Sequence, residues 1–486
     1  MDFFFLRKSE SGIAAALIAV LSAVSLVLIS PFFVSVLLLF ILALIVVFSG
    51  FTRFVFLAFC FLLPFSVDAD LFGGSNLSMP GELVAVLLFF VLLIFGFRQN
   101  DSYRIFSRPL FLGVICYFLP ILIASVYSVN TIVSVKYVVI QLLYISSCFV
   151  LPFILLRSGI VHFREILYAL SAGVFLLAVY SLIRLAGYGF NLQTAPALAR
   201  PFFKDHTIFS ALLALLFPVG CFLFADKKMW RRRYFLLWLF VMLSAIMAST
   251  SRAAWISIIV VIPLVFLAYR GLKIIHLPII GFCLLAFFLY KRQDIESYVL
   301  SNRNDSNRYG SSISEQALSV TNVTNDVSNL ERINRWKCAW RMAKDRPEIG
   351  FGPGTYQFEY LPYQLKSETT TISLHSPFFP KEGRGGSAHS EYFLSLAECG
   401  WTGIFGWLLF IVSFVFTFFR VKSRNNDLNA RVLSIFCGAG IVTYLVHAMF
   451  NNFMNNINFA GSFWIILALI MYLDLPEFGT ASDKKY

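Results

Sequence analysis

The chain has 486 residues, of which 59% are hydrophobic and 13% charged, against about 25% charged in an ordinary soluble domain. A water-soluble fold of this length cannot cover so much apolar surface, including 55 phenylalanines, which excludes a soluble enzyme, a nucleic-acid-binding protein and a disordered chain. The net charge of +13 is accordingly read as membrane orientation and contact with anionic membrane lipids.

Long unbroken apolar runs, without the alternating segments of a membrane barrel, predict an all-α polytopic membrane protein. Fourteen spans are expected, at 12–29, 32–50, 54–67, 81–97, 109–128, 137–156, 165–183, 207–225, 234–248, 253–269, 274–290, 391–418, 432–449 and 458–475. The third, interrupted by Pro64 and Asp68, is short enough to be re-entrant, so about 12–14 transmembrane helices are expected. The first run reads as a retained anchor rather than a cleavable signal. With Arg7 and Lys8 in the cytoplasm, alternation puts over half of the 39 basic residues in cytoplasmic loops, among them Arg98, Arg104 and Arg108, Lys227 to Arg233, and Arg420 to Arg431. Both termini are then cytoplasmic, with Lys484 and Lys485 at the C-terminal end. The eight cysteines contain no C-x-x-C pair and only Cys338 falls in a clearly soluble region, so neither a disulfide framework nor a thiolate metal site is expected.

Three units follow: an N-terminal membrane bundle (1–290), one large extracytoplasmic loop domain between the eleventh and twelfth spans (291–387), and C-terminal membrane helices (388–486). The loop domain is expected to be polar and mobile over 301–329, then helical over 330–344, where Ile333, Trp336, Ala339, Trp340 and Ala343 follow helical spacing. Asp345-Arg346-Pro347 stops that helix. Glycine-rich turns follow at Gly350, Gly352 and Gly354 and again at 383–386.

The informative residues are cations on the outside, where the charge rule disfavours them. Arg200 precedes the eighth span, near His206, and Arg252 sits in the polar turn Ser249-Thr250-Ser251-Arg252. Each can snorkel or form a structural ion pair. Together with Arg332 and Arg335 on the loop helix they can also grip a diphosphate, whose oxygens planar guanidinium groups match bidentately. His389, just before the twelfth span, is a candidate general base or a helix-capping residue. His447 reads as structural, while His162, His276 and His375 carry no motif. Gly350-x-Gly352-x-Gly354 lacks the strand–helix context of a nucleotide loop and reads as a turn. Asp68 and Asp70 read as a solvated loop rather than a metal site, and Asn322-Val323-Thr324 is too common a pattern to use.

Five blocks carry a family resemblance. His389-Ser390, nine residues, then Gly400-Trp401-Thr402-Gly403 is similar to the His-[Asn/Ser/Gln]-x9-Gly-x-x-Gly signature of bacterial O-antigen ligases. Ser251-Arg252-Ala253 resembles a turn of the same superfamily, and Arg332-x-x-x-Trp336, Pro347 and the glycines at 350, 352 and 354 resemble its outer-loop pattern in the same order. The superfamily includes ligases, O-antigen and exopolysaccharide polymerases and protein O-oligosaccharyltransferases. The resemblance implies a GT-C-type glycosyltransferase of the bacterial inner membrane, active on the periplasmic face. It implies an undecaprenyl-diphosphate-linked glycan donor and, as acceptor, lipid A-core (a ligase) or a second lipid-linked glycan (a polymerase). No cofactor, metal or nucleic acid is implied. By the same resemblance His389 is the base, Arg252 a catalytic and donor contact, and Arg200 and Arg332 donor contacts, with Ser390, Gly400 and Gly403 as motif positions. A lipid-linked glycan flippase is the reading from another class; it would suit fourteen spans but not polar residues gathered at one face.

Overall fold

The structure is a computed structural model and describes residues 32–70, 76–96, 105–224, 229–301, 313–322, 326–370, 386–424 and 428–475. The expected first span, the terminal cations Arg7, Lys8, Lys484 and Lys485, the loop cations Arg98, Arg104, Lys227 and Lys228, His375, Gly383 and the Val323-Thr324 pair lie outside them.

The described chain is helical apart from one hairpin. Helices α1 (Phe32–Phe48) and α2 (Thr52–Leu62) meet at a bend of 119°, a broken span or re-entrant loop, so the segment expected to be short is one arm of a bent pair. Strands β1 (Val67–Asp70) and β2 (Asn76–Met79) then pair antiparallel, Val67 opposite Met79, where the sequence suggested only a loop. The Ser78 hydroxyl donates to Asp68 at 2.6 Å and Lys204 pairs with Asp68 at 2.9 Å, so this carboxylate is a structural tie.

Next come α3 (Gly81–Gly96), α4 (Pro109–Val126), α5 (Thr131–Arg157, with a π-helical turn at Ser146–Val150), α6 (Phe163–Gly187), α7 (His206–Phe224), α8 (Met229–Ala248), α9 (Arg252–Tyr269) and α10 (His276–Tyr290). The segment between α10 and residue 387 supplies α11 (Arg292–Ser301), α12 (Ile313–Leu318) and α13 (Val327–Asp345). The chain closes with α14 (Glu391–Arg424), α15 (Leu428–His447) and α16 (Ile457–Leu473). Each expected span within the described residues falls on a helix. Among the described residues seven helices are long and apolar enough to cross a bilayer, eight if the bent pair is one span; α3, α8 and α16 are shorter apolar helices.

The reason for the arrangement is hydrophobic partition. Helix α16 is apolar all round and buried along nearly its whole length, which makes it the centre of the bundle. Tyr117, Trp407, Phe410, Phe463 and Trp464 pack edge to face beside it. Peripheral helices instead expose large apolar side chains, such as Leu37, Ile132, Phe240 and Ile262, as a surface facing acyl chains would. The protein is thus a multi-pass α-helical membrane protein.

Candidate functional site

At one end of the bundle five segments meet: the start of α7, the start of α9, helix α13, and the facing turns 386–390 and 447–454. Helix α13 begins at Val327, three residues before the sequence expectation, because the Asp326 carboxylate accepts the Asn329 N–H at 3.0 Å and caps it. Its apolar face, Ala339 and Met342, packs on Phe351, Tyr356, Tyr360, Ala388 and Ala397. Its other edge carries Arg332, Arg335 and Trp336. The Trp336 indole donates to the His389 carbonyl at 3.3 Å and stacks on Phe393 at 5.3 Å. The two turns are bonded to each other: Glu391 N–H and the Ser390 hydroxyl both donate to Ala448 O, at 2.9 and 3.2 Å. Glu391 in turn accepts from Tyr444 OH and from the N–H groups of Phe453 and Met454, at 2.5 to 3.0 Å. The backbone at His389 is left-handed, with φ 51°, a conformation a non-glycine residue keeps only when its surroundings impose it.

Arg332 is the centre of this end. Its Nη1 donates to the Ser328 hydroxyl at 2.7 Å and its Nε to Phe450 O at 3.3 Å, all neutral acceptors, and among the described residues it forms no ion pair. Arg252, Asp326 and Asp205 are its charged neighbours; burial, then Arg252, lowers its pKa to about 10, so it stays cationic at neutral pH. His389 is affected by the same group: burial first, then Arg332 and Arg335, hold it down to about 4, so its imidazole is neutral at pH 7. Both side chains, and His206, are only half-buried by surface. All three side chains keep part of their surface exposed at this end of the bundle. Asp205 lies 3.6 Å from His206 Nδ1.

The other sequence candidates take different places. Arg252 is spent on a bidentate pair with Asp326, at 2.8 and 3.3 Å, and on the Ser319 hydroxyl at 2.7 Å. The tract expected to be mobile therefore contributes, in its described part, the anchor of the loop domain: Ser319, Asn322 and Asp326 are buried, and Asn329 ties Ser319, Val320 and Asn322 together. Arg335 is buried, paired with Glu331 at 2.8 Å and stacked 4.0 Å from the centre of the Tyr360 ring. Arg200 is exposed; its carbonyl accepts from Tyr180 OH at 2.6 Å and from Arg184. Ser390 is fully buried beneath His389.

The motif glycines lock the loop domain to the membrane helices. Gly400 (φ 63°, ψ −157°) breaks the helical path of α14, and the Trp401 N–H beyond it donates to Pro347 O at 2.8 Å; a Cβ on Gly400 would lie 2.5 Å from that oxygen. Gly352 (φ 108°) lies against Ser128, and its N–H donates to Glu398 O at 2.8 Å. Gly354 lies beside Val133 and Tyr137, and Gly403 against the preceding turn of α14. Asp326 was missed in the sequence because it sits in an Asn/Ser-rich tract; its signal was the helix-capping position itself.

Comparison with protein families gives one result for the chain. The O-Antigen ligase family model matches residues 236–408, roughly a third of the chain, from the second half of α8 through α13 to just past the Gly400–Gly403 block. No curated protein matches. The segment 236–408, which holds Arg252, Arg332 and His389, is thus similar to the O-antigen ligase family.

Proposed function

We propose that the protein is an inverting glycosyltransferase of the GT-C type that moves a glycan from undecaprenyl diphosphate to the hydroxyl of lipid A-core. The supporting observation is Arg332: an enclosed guanidinium bonded only to neutral oxygens, beside a neutral His389. A cation with no carboxylate bonded to it, at the end of a membrane bundle, suits an anionic ligand that arrives from outside. The donor's diphosphate takes that place, with its polyprenyl tail in the bilayer. Arg335 and His206 border the same anion, and Arg200 lies on its approach. Arg252 acts at one remove, holding Asp326 and the start of α13 so that Arg332 is aimed.

In the reaction His389 accepts the proton of the acceptor hydroxyl as its oxygen bonds to the anomeric carbon. The bond from that carbon to the diphosphate oxygen breaks on the opposite face, the configuration inverts, and the leaving charge falls on oxygens that Arg332 stabilises. A resting imidazole at about 4 is a weak base. Bound diphosphate offsets Arg332 and Arg335, and so strengthens the base when the substrate is present. About 12–14 spans, a periplasmic active site and cytoplasmic termini complete the proposal.

Purified protein in vesicles, given lipid-linked glycan with lipid A-core or a second lipid-linked repeat as acceptor, tests it. Product on lipid A-core is expected without ATP and in the presence of EDTA. His389→Ala should lower turnover by roughly 10²- to 10⁴-fold. Elongated lipid-linked product instead would make the protein a polymerase; glycan translocation without transfer, or a strict need for added Mg²⁺ or Mn²⁺, would overturn the mechanism.

A further inference from the structure

His447 has no role in this mechanism, yet it is a buried polar group left unsatisfied at this end of the molecule. It ends α15 with only 1% of its surface exposed, and among the described residues neither ring nitrogen has a hydrogen-bond partner. Four residues on, Asn451 is also buried, and its Nδ2 has no partner either. Their backbones, by contrast, are used: Phe450 and Asn451 N–H donate to His447 O at 2.9 and 3.1 Å. Phe453 packs edge to face on one side of the imidazole, at 5.3 Å. Leaving a buried donor or acceptor unmatched is unfavourable, so a fold that keeps three such atoms in one turn is under-satisfied there.

The location is specific. The turn that carries both residues receives bonds from Ser390, Glu391 and Arg332, and Ser387 Oγ donates to Asn452 Oδ1 at 2.5 Å. Arg332 and Asp205, the charges around His389 and His206, are also the charged neighbours of His447. The orphaned atoms therefore lie in the turn that backs Arg332 and His389.

We infer that His447 and Asn451 form a subsite that hydrogen-bonds sugar hydroxyls of the lipid-linked glycan, next to the diphosphate held by Arg332. The atom types select the ligand. A neutral imidazole offers one donor and one acceptor, and the Asn451 amide nitrogen offers donors. A hydroxyl both donates and accepts and so matches the set. A phosphate oxygen only accepts, and would leave the imidazole acceptor unmatched. The inference rests on the donor proposed above and deepens it.

Full-length protein in nanodiscs, titrated with undecaprenyl-diphosphate glycan from the source membranes and with undecaprenyl diphosphate lacking sugar, separates the two ideas without needing turnover. His447→Phe keeps an aromatic ring against Phe453 but removes both polar atoms. It should bind the glycan-bearing lipid roughly tenfold more weakly and the bare lipid as wild type does. His447→Gln should retain part of the affinity, and Asn451→Ala should weaken only the glycan-bearing lipid, a few-fold. Arg332→Gln should weaken both lipids. Wild-type binding of both lipids by His447→Phe overturns the subsite and leaves the donor reading standing, as does an equal loss of both lipids at unchanged Tm. Should His447→Phe fail to fold, unchanged glycan-lipid binding by Asn451→Ala overturns it. Wild-type protein that binds neither lipid removes the donor reading and the subsite with it.

Discussion

The two ends of the bundle treat arginine in opposite ways. At the end away from the loop domain, the buried Asp474 carboxylate accepts from Arg420, whose Nε lies 2.5 Å from Oδ1, while Arg108 Nη1 donates to the Asp474 carbonyl at 3.1 Å. There two cations close on one counter-charge and join the starts and ends of α4, α14 and α16. At the loop-domain end, Arg252 and Arg335 are closed in the same manner by Asp326 and Glu331, but Arg332 is left with a serine and a carbonyl. Residue type is the same throughout; what separates a structural cation from a binding one is whether the fold brings a carboxylate to it.

Mutation should break this comparison in two distinct directions. Arg332→Gln is expected to lower turnover by about 10²- to 10³-fold with little change in Tm, since no folded-state counter-charge is orphaned. Asp474→Asn should do the reverse, destabilising by about 3–5 kcal/mol because two arginines lose their partner, with turnover per folded molecule preserved; thermal unfolding and vesicle assays in parallel read both. Asp326→Asn lies between them. It removes the partner of Arg252 but keeps a capping amide oxygen, so it should lower Tm and cost activity about tenfold by loosening α13. A normal Tm with normal activity would remove Arg252 from any positioning role. Gly400→Ala should cost about 1–3 kcal/mol, from a strained φ and a Cβ against Pro347 O, and so loosen the contact between α14 and the turn at Pro347.

The pH profile gives the finest discrimination. His389 is depressed to about 4 in the free protein, so the neutral base persists down to that region and is lost only as pH falls further. Bound diphosphate offsets Arg332 and raises the imidazole. The acid limb of kcat, which reports the complex, is thus expected at higher pH than that of kcat/KM, which reports the free enzyme. Coincident limbs near 6.5 would mean that Arg332 does not face His389.

Much was legible before the fold. Apolar runs located the helices because a span must be about twenty residues long and must satisfy its own backbone. The 119° bend at 49–51 and the short hairpin at 67–79 were not, since both depend on what the segments pack against. Four arginines, Arg200, Arg252, Arg332 and Arg335, were visible as an anomaly. Nothing in their spacing distinguished Arg332 from Arg252, because Asp326 lies 74 residues beyond the arginine it neutralises.

The amino-acid sequence by itself determined a helical membrane protein with one inserted polar domain and a histidine–glycine block beside it, because hydrophobic length and local residue spacing are properties of the chain. Only the tertiary structure decided which cation is already neutralised, which histidine is left buried without partners, and that the motif glycines serve as a joint. Those depend on charges and backbones from distant segments coming within a few ångströms, where pairing or its absence sets the energy.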